Sequence, residues 1–143
     1  MLEDKSESAG CQDVTLRSYR VVDYGTASAA AECFADDAVL DRYGDISVGR
    51  DELLNLFGER ERETERITCH AVVNYAHIPV IPGVCAEAHY SLLVFQVRPD
   101  TDSEFVGVRR CLDRYVKQGN RWVIEYRRQQ ELGAFFHEQL SAG

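Results

Sequence analysis

Alternation of apolar and polar positions dominates the second half of the chain. From Ile67, one side of the stretch carries Ile67, Cys69, Ala71, Val73 and Tyr75, and the other carries Thr68, His70, Val72, Asn74 and Ala76. Successive side chains on a strand point to opposite faces, so this reads as a long two-faced strand that ends at the turn Ile81-Pro82-Gly83. Valine and alanine separate the polar groups of its mixed face, which suits a cavity wall better than a wetted surface. Three more strands are predicted, from about Val84 to Val97, Glu104 to Lys117 and Arg121 to about Gln130. Short turns join them, Gln118-Gly119-Asn120 among them, so the pattern is that of an antiparallel meander.

Before Ile67 the period is helical. Asp13 is an N-cap candidate for a helix to about Tyr24, with Val14, Ser18, Val21 and Val22 on one stripe and Leu16, Tyr19 and Asp23 on the next. Asp23 lies beside an apolar face at a helix C-terminus, where a carboxylate opposes the macrodipole. Gly25 ends that helix, and Ala27, Ala30, Ala31 and Phe34 predict a short, closely packed second one. A short strand follows over Ala38–Tyr43, closed by Gly44, and then a helix from Gly49 whose apolar stripe is Leu53, Leu56 and Phe57. The sign-alternating run Glu59–Arg66 reads as a solvated helix end or loop. Residues 1–12 read as a flexible tail and residues 13–143 as a single domain, with Leu132, Phe135, Phe136 and Leu140 on a C-terminal helical segment. Helices followed by a curved antiparallel sheet define an α+β class.

Composition narrows the function. A net charge of −8, with arginines scattered among carboxylates, argues against nucleic acid and against an anionic membrane. No apolar run is long enough to span a bilayer, and the polar first ten residues contain no secretory core. Five widely spaced cysteines (Cys11, Cys33, Cys69, Cys85 and Cys111) suit free thiols and a cytoplasmic location. Spacings typical of metal ligands do not occur, so no metal is expected; no organic cofactor is expected either.

Five segments together resemble the SnoaL-like branch of the nuclear transport factor 2-like superfamily. They are the helix ending Val22-Asp23, Phe34-Ala35-Asp36-Asp37-Ala38-Val39, the pair Gly49-Arg50, Thr68-Cys69-His70 with Asn74, and Asp113-Arg114-Tyr115 followed by Arg121-Trp122-Val123-Ile124. The resemblance implies a cone-shaped fold. In the branch, scytalone dehydratase, hexachlorocyclohexane dehydrochlorinase and bile-acid dehydratase pair a carboxylate at the end of the first helix with a histidine on the first long strand. Asp23 and His70 match those positions, Arg127 matches a cavity arginine, and Tyr43 matches a substrate-binding tyrosine. Ser18, Val22 and Phe95 depart from the branch's other polar cavity positions.

The expected site therefore has Asp23, His70 and Arg127 as catalytic groups, with Tyr19, Tyr43, Phe34, Phe57, Asn74 and Phe95 against a small hydrophobic substrate. A carboxylate-backed imidazole abstracts a proton from carbon, as dehydratases, cyclases and isomerases require. Arg127 presents a conflict, since simple alternation groups it with Val123 and Glu125, opposite Trp122, Ile124 and Tyr126. Burial of both sheet faces would reconcile this, with the outer face in a homodimer, as is common in the superfamily. Two rival readings are a ring-hydroxylating dioxygenase β-subunit and a non-catalytic ligand-binding module.

Overall fold

The computed structural model describes residues 5–132. Among them are helices α1 (Lys5–Asp23) and α2 (Gly49–Arg62) and a 3₁₀ helix (Ala27–Cys33). The strands are β1 (Phe34–Arg42), β2 (Asp45–Val48), β3 (Ile67–Ile81), β4 (Cys85–Val97), β5 (Glu104–Gln118) and β6 (Arg121–Glu131). They form one sheet in the order β2-β1-β6-β5-β4-β3. The meander β3-β4-β5-β6 is antiparallel as its turns dictate, but β1 joins β6 in parallel, so the α+β sheet is mixed. The expected C-terminal helical segment, with Phe135, Phe136 and Leu140, lies outside the described residues.

Helix α1 begins at Lys5 rather than after Asp13, so residues 5–12 are helical and not a free tail. Its buried positions are Glu7, Cys11, Thr15, Ser18, Tyr19 and Val22, spaced as one helical face. Half of that face is polar, which conceals its first turns from any search for an apolar stripe. Gly10 permits close approach to the sheet, since a Cβ there would lie 2.9 Å from Trp122 Cδ1. The helix ends at Gly25, whose φ is +88°. Thr26 N–H donates to Val21 O at 2.8 Å and Gly25 N–H to Val22 O at 3.2 Å, a Schellman closure that fixes where Asp23 leaves the last turn.

Strand β1 starts at Phe34, earlier than its sequence suggested, and turns into the unexpected β2 through Tyr43 and Gly44. Both turn residues have positive φ, 58° and 89°, which matches the twist of a two-residue hairpin.

Two irregularities decide which strand residues face the helices. The β3–β4 register shifts between Val73 and Ala76, where Asn74 takes a φ of 53°. An extra residue in a strand reverses the phase of alternation beyond it. Thr68, His70 and Val72 face inward before the bulge, and Tyr75 and His77 do so after it. His77 is buried against Glu7 of α1 at 3.4 Å, and Asn74 is turned out to solvent. Asn74 therefore does not reach the cavity, contrary to expectation. The second bulge lies in β6, where Ile124 pairs with Tyr115 and Tyr126 with Arg114, leaving Glu125 between them. Trp122 and Ile124 face the helices before it, and Arg127 and Gln129 after it. The Arg127 conflict is thus resolved by the register shift within the strand itself.

Phe95 is also corrected. It lies on the outer face beside Phe105, with ring centroids 5.4 Å apart, while its neighbour Val94 faces inward. The five cysteines are free, and burial pushes the thiols of Cys11 and Cys111 up to about 12. Both are small core residues with little nucleophilic character.

Candidate active site

Between α1, α2 and the inner sheet face lies a cavity of about 210 Å³. His70 faces it from β3, and Asp23, at the capped end of α1, stands behind His70. Asp23 Oδ1 and His70 Nδ1 are 2.6 Å apart, with the side chains only 16% and 12% exposed. The carboxylate is held from two further directions, by His70 N–H to Oδ2 at 2.8 Å and Thr68 Oγ1 to Oδ1 at 2.9 Å. These donors offset the unfavourable helix terminus that made Asp23 conspicuous in the sequence. A carboxylate can only accept, so the shared proton belongs to Nδ1, and in the neutral imidazole it is Nε2 that carries the lone pair. His70 lines the cavity and Asp23 does not. Nε2 makes no hydrogen bond to any described residue. An imidazole with a carboxylate behind it and an open nitrogen in front is the arrangement a general base needs.

The charge run after Leu56, read as solvated, also contributes. Arg60 continues the inward stripe Leu53–Phe57 and donates from Nη2 to Thr68 Oγ1 at 3.1 Å. Arg60 is thus linked through Thr68 to Asp23. Burial and the neighbouring Arg66 lower its affinity for its proton. Glu59, Glu63 and Arg66 line the cavity beside it.

Beneath the dyad lies a polar network centred on Asp113, which is fully buried. Arg127 grips it with two bonds of 2.8 Å, from Nε to Oδ1 and Nη2 to Oδ2. Tyr90 OH adds a bond to Oδ1 at 3.0 Å and Thr15 Oγ1 one to Oδ2 at 2.7 Å, so each carboxylate oxygen accepts two. Burial alone would lower the Arg127 pKa, but Asp113 holds the guanidinium firmly protonated. Burial also raises Tyr19 and Tyr90 well above the usual tyrosine value, so both stay neutral and can donate. The resulting chain runs from Gln129 Nε2 to Tyr19 OH at 3.0 Å, from Tyr19 to Tyr90 at 2.7 Å, and on to Asp113. Tyr19 connects the two systems, its ring stacked on His70 at 5.4 Å and lying 4.3 Å from the Arg127 guanidinium.

The structure thus brings His70, Arg127, Tyr19 and Phe57 together at the cavity, with Asp23 held behind His70. Phe34 supports it from behind, almost wholly buried against Phe57 with ring centroids 5.8 Å apart, and does not line it. Tyr43 lies in the β1–β2 turn, outside the lining, with its ring 4.8 Å from the Arg109 guanidinium. Asn74 and Phe95 belong to the opposite face. Asp113, Ser18, Thr68 and Gln129 were not predicted as site residues. Their signal exists only in three dimensions, apart from the position of an aspartate between Cys111 and Tyr115 on the inward side of its strand. Among the described residues, no group of three or more His, Cys, Asp or Glu side chains is placed to hold a metal ion. No helix among them is long and apolar enough to cross a membrane.

A family model described as a SnoaL-like domain matches residues 4–128. No curated protein matches the sequence. Among solved structures, a Catenulispora acidiphila protein in complex with S-DNPA superposes with a TM-score of 0.80 at 18% identity, over 94% of this chain and 99% of that one. ActVI-ORFA from Streptomyces coelicolor gives 0.79 at 14% identity, over 90% and 99%. A Novosphingobium aromaticivorans protein named for scytalone dehydratase gives 0.78 at 16% identity, over 88% and 84%. Likeness at these identities establishes a shared fold.

Proposed function

The chain belongs to the SnoaL-like domain family, and we propose that it is a cofactor-independent lyase or isomerase of the dehydratase or cyclase type. Its substrate is a small hydrophobic molecule, ring-bearing or polyketide-like. The observation that carries this reading is the 2.6 Å contact between Asp23 and His70 Nδ1, with His70 facing the cavity. His70 Nε2 takes a proton from a carbon next to a carbonyl, and Asp23 stabilises the imidazolium that forms. The proton then returns to the product at another atom, or joins a departing hydroxide as water. Arg127 faces the same space while Asp113 and Ser18 hold its Nε and Nη2. Its Nη1 has no hydrogen bond to a described residue and can steady the enolate-like anion. Names such as scytalone dehydratase among proteins of the same fold support a small-molecule reaction of this kind.

The test is incubation with a panel of cyclic and aryl β-hydroxy ketones in D₂O, followed by mass spectrometry. Loss of water, or deuterium uptake beside the carbonyl faster than in buffer, is the expected result. Binding of panel members without either change would instead make the protein a ligand-binding module.

A further inference from the structure

We infer that Arg42 and Arg109 form a second subsite of the cavity, one that takes a carboxylate carried by the substrate. This rests on the reading of the cavity as a substrate site and adds a requirement on what enters it.

The chain is strongly acidic overall, yet Arg42, Arg60, Arg66, Arg109 and Arg127 line this cavity against two glutamates, Glu59 and Glu63. Three of the arginines are already engaged. Arg127 holds Asp113, Arg66 pairs with Glu63 at 3.1 Å, and Arg60 serves Thr68 and the carbonyls of Glu63 and Arg66. Arg42 and Arg109 differ. Among the described residues, neither has a carboxylate within the 4.0 Å of an ion pair. Glu131 lies opposite Arg109 in the β5–β6 register and still forms no such pair with it. Two half-buried guanidinium groups that face one cavity with no ion-pair partner among the described residues are suited to an anion from outside the chain.

Their placement favours a ligand that also reaches His70. Arg42 on β1 is in register with Gln129 of β6, so β6 lies between Arg42 and Arg109 of β5. Arg109 is held from one side by the Tyr43 ring at 4.8 Å, which makes Tyr43 a positioning residue. On β3, His70 lies two strands from β5, a separation of about 10 Å across the sheet. A small ring system with a short acid side chain spans that distance, its carboxylate at the arginines and its acidic carbon at the imidazole.

The experiment is a fluorescence titration with 2-naphthylacetate and with its methyl ester, which differ only in the charged group. The wild-type protein is expected to bind the acid about 10- to 100-fold more tightly than the ester. The double variant Arg42→Ala/Arg109→Ala loses that preference while its affinity for the ester stays within about twofold, and Arg42→Lys/Arg109→Lys retains part of it. Equal affinities for acid and ester in the wild type, failure to bind the acid, or a preference that survives in the double alanine variant would each overturn the subsite. His70→Ala separates this from the proposed chemistry, because it should keep the full preference for the acid. If the preference is present but no panel compound reacts, the subsite stands and the lyase or isomerase reading falls. Turnover of neutral substrates with no preference for acids gives the reverse.

Discussion

His70→Ala is expected to lower kcat/KM by about 10²- to 10⁴-fold, the usual contribution of a positioned general base. Most of the loss should fall in kcat, since the imidazole acts on the reacting proton and contributes only part of the cavity wall. The fold should survive, because Asp23 keeps its bonds to Thr68 Oγ1 and to the backbone N–H of residue 70. Far-UV circular dichroism and the melting temperature check this independently of rate. Asp23→Asn should produce a loss of similar order by another route. The asparagine amide can turn a donor toward Nδ1, which moves the imidazole proton to Nε2 and fills the lone pair the substrate needs. A His70→Ala enzyme retaining rates within about threefold of wild type would rule out His70 as the base.

Asp113→Ala is expected to cost about 3–5 kcal/mol of stability, because it leaves the Arg127 charge buried without its partner. Arg127 is only 3% exposed and its main neighbours would be the rings of Tyr19 and Phe34. Tyr90 and Thr15 would also lose their acceptor. For a chain of this size the change corresponds to a fall in melting temperature of roughly 10–20 °C. The double variant Asp113→Leu/Arg127→Met removes both charges and should recover much of that loss, though not the activity, if Arg127 steadies the anion. Differential scanning calorimetry of the three variants decides the matter. An Asp113→Ala protein melting within about 2 °C of wild type would mean that Arg127 finds another partner.

The α+β class, the order of the long strands and the Asp23–His70 pair were legible because each rests on local periodicity or on matched positions. What was hidden has specific physical causes. Alternation tells which face a residue takes only until a bulge intervenes. The bulge at Asn74 reversed the assignments of Asn74 and Tyr75, and the one at Glu125 reversed that of Arg127. Asparagine tolerates positive φ, so Asn74 carried a faint signal, whereas Glu125 between Ile124 and Tyr126 carried none. The early turns of α1 were missed because Glu7 is buried through a partner distant in sequence, the backbone N–H of Gly83. Arg60 looked like one more charge in a solvated run because its acceptors lie on the following loop and on β3. The parallel pairing of β1 with β6 brings together segments separated by most of the chain, and no local pattern encodes it.

The central claim is that Asp23 holds His70 with Nε2 unprotonated and available to the cavity. Long-range ¹H–¹⁵N NMR of the imidazole, recorded at mildly alkaline pH on selectively labelled protein, reads this directly. The expected spectrum shows Nδ1 as the protonated nitrogen, with its proton strongly deshielded by Asp23, and Nε2 as the bare one. In Asp23→Asn the two assignments should exchange. A wild-type spectrum with the proton on Nε2 would contradict the account, since His70 could not then accept a proton from anything bound in the cavity.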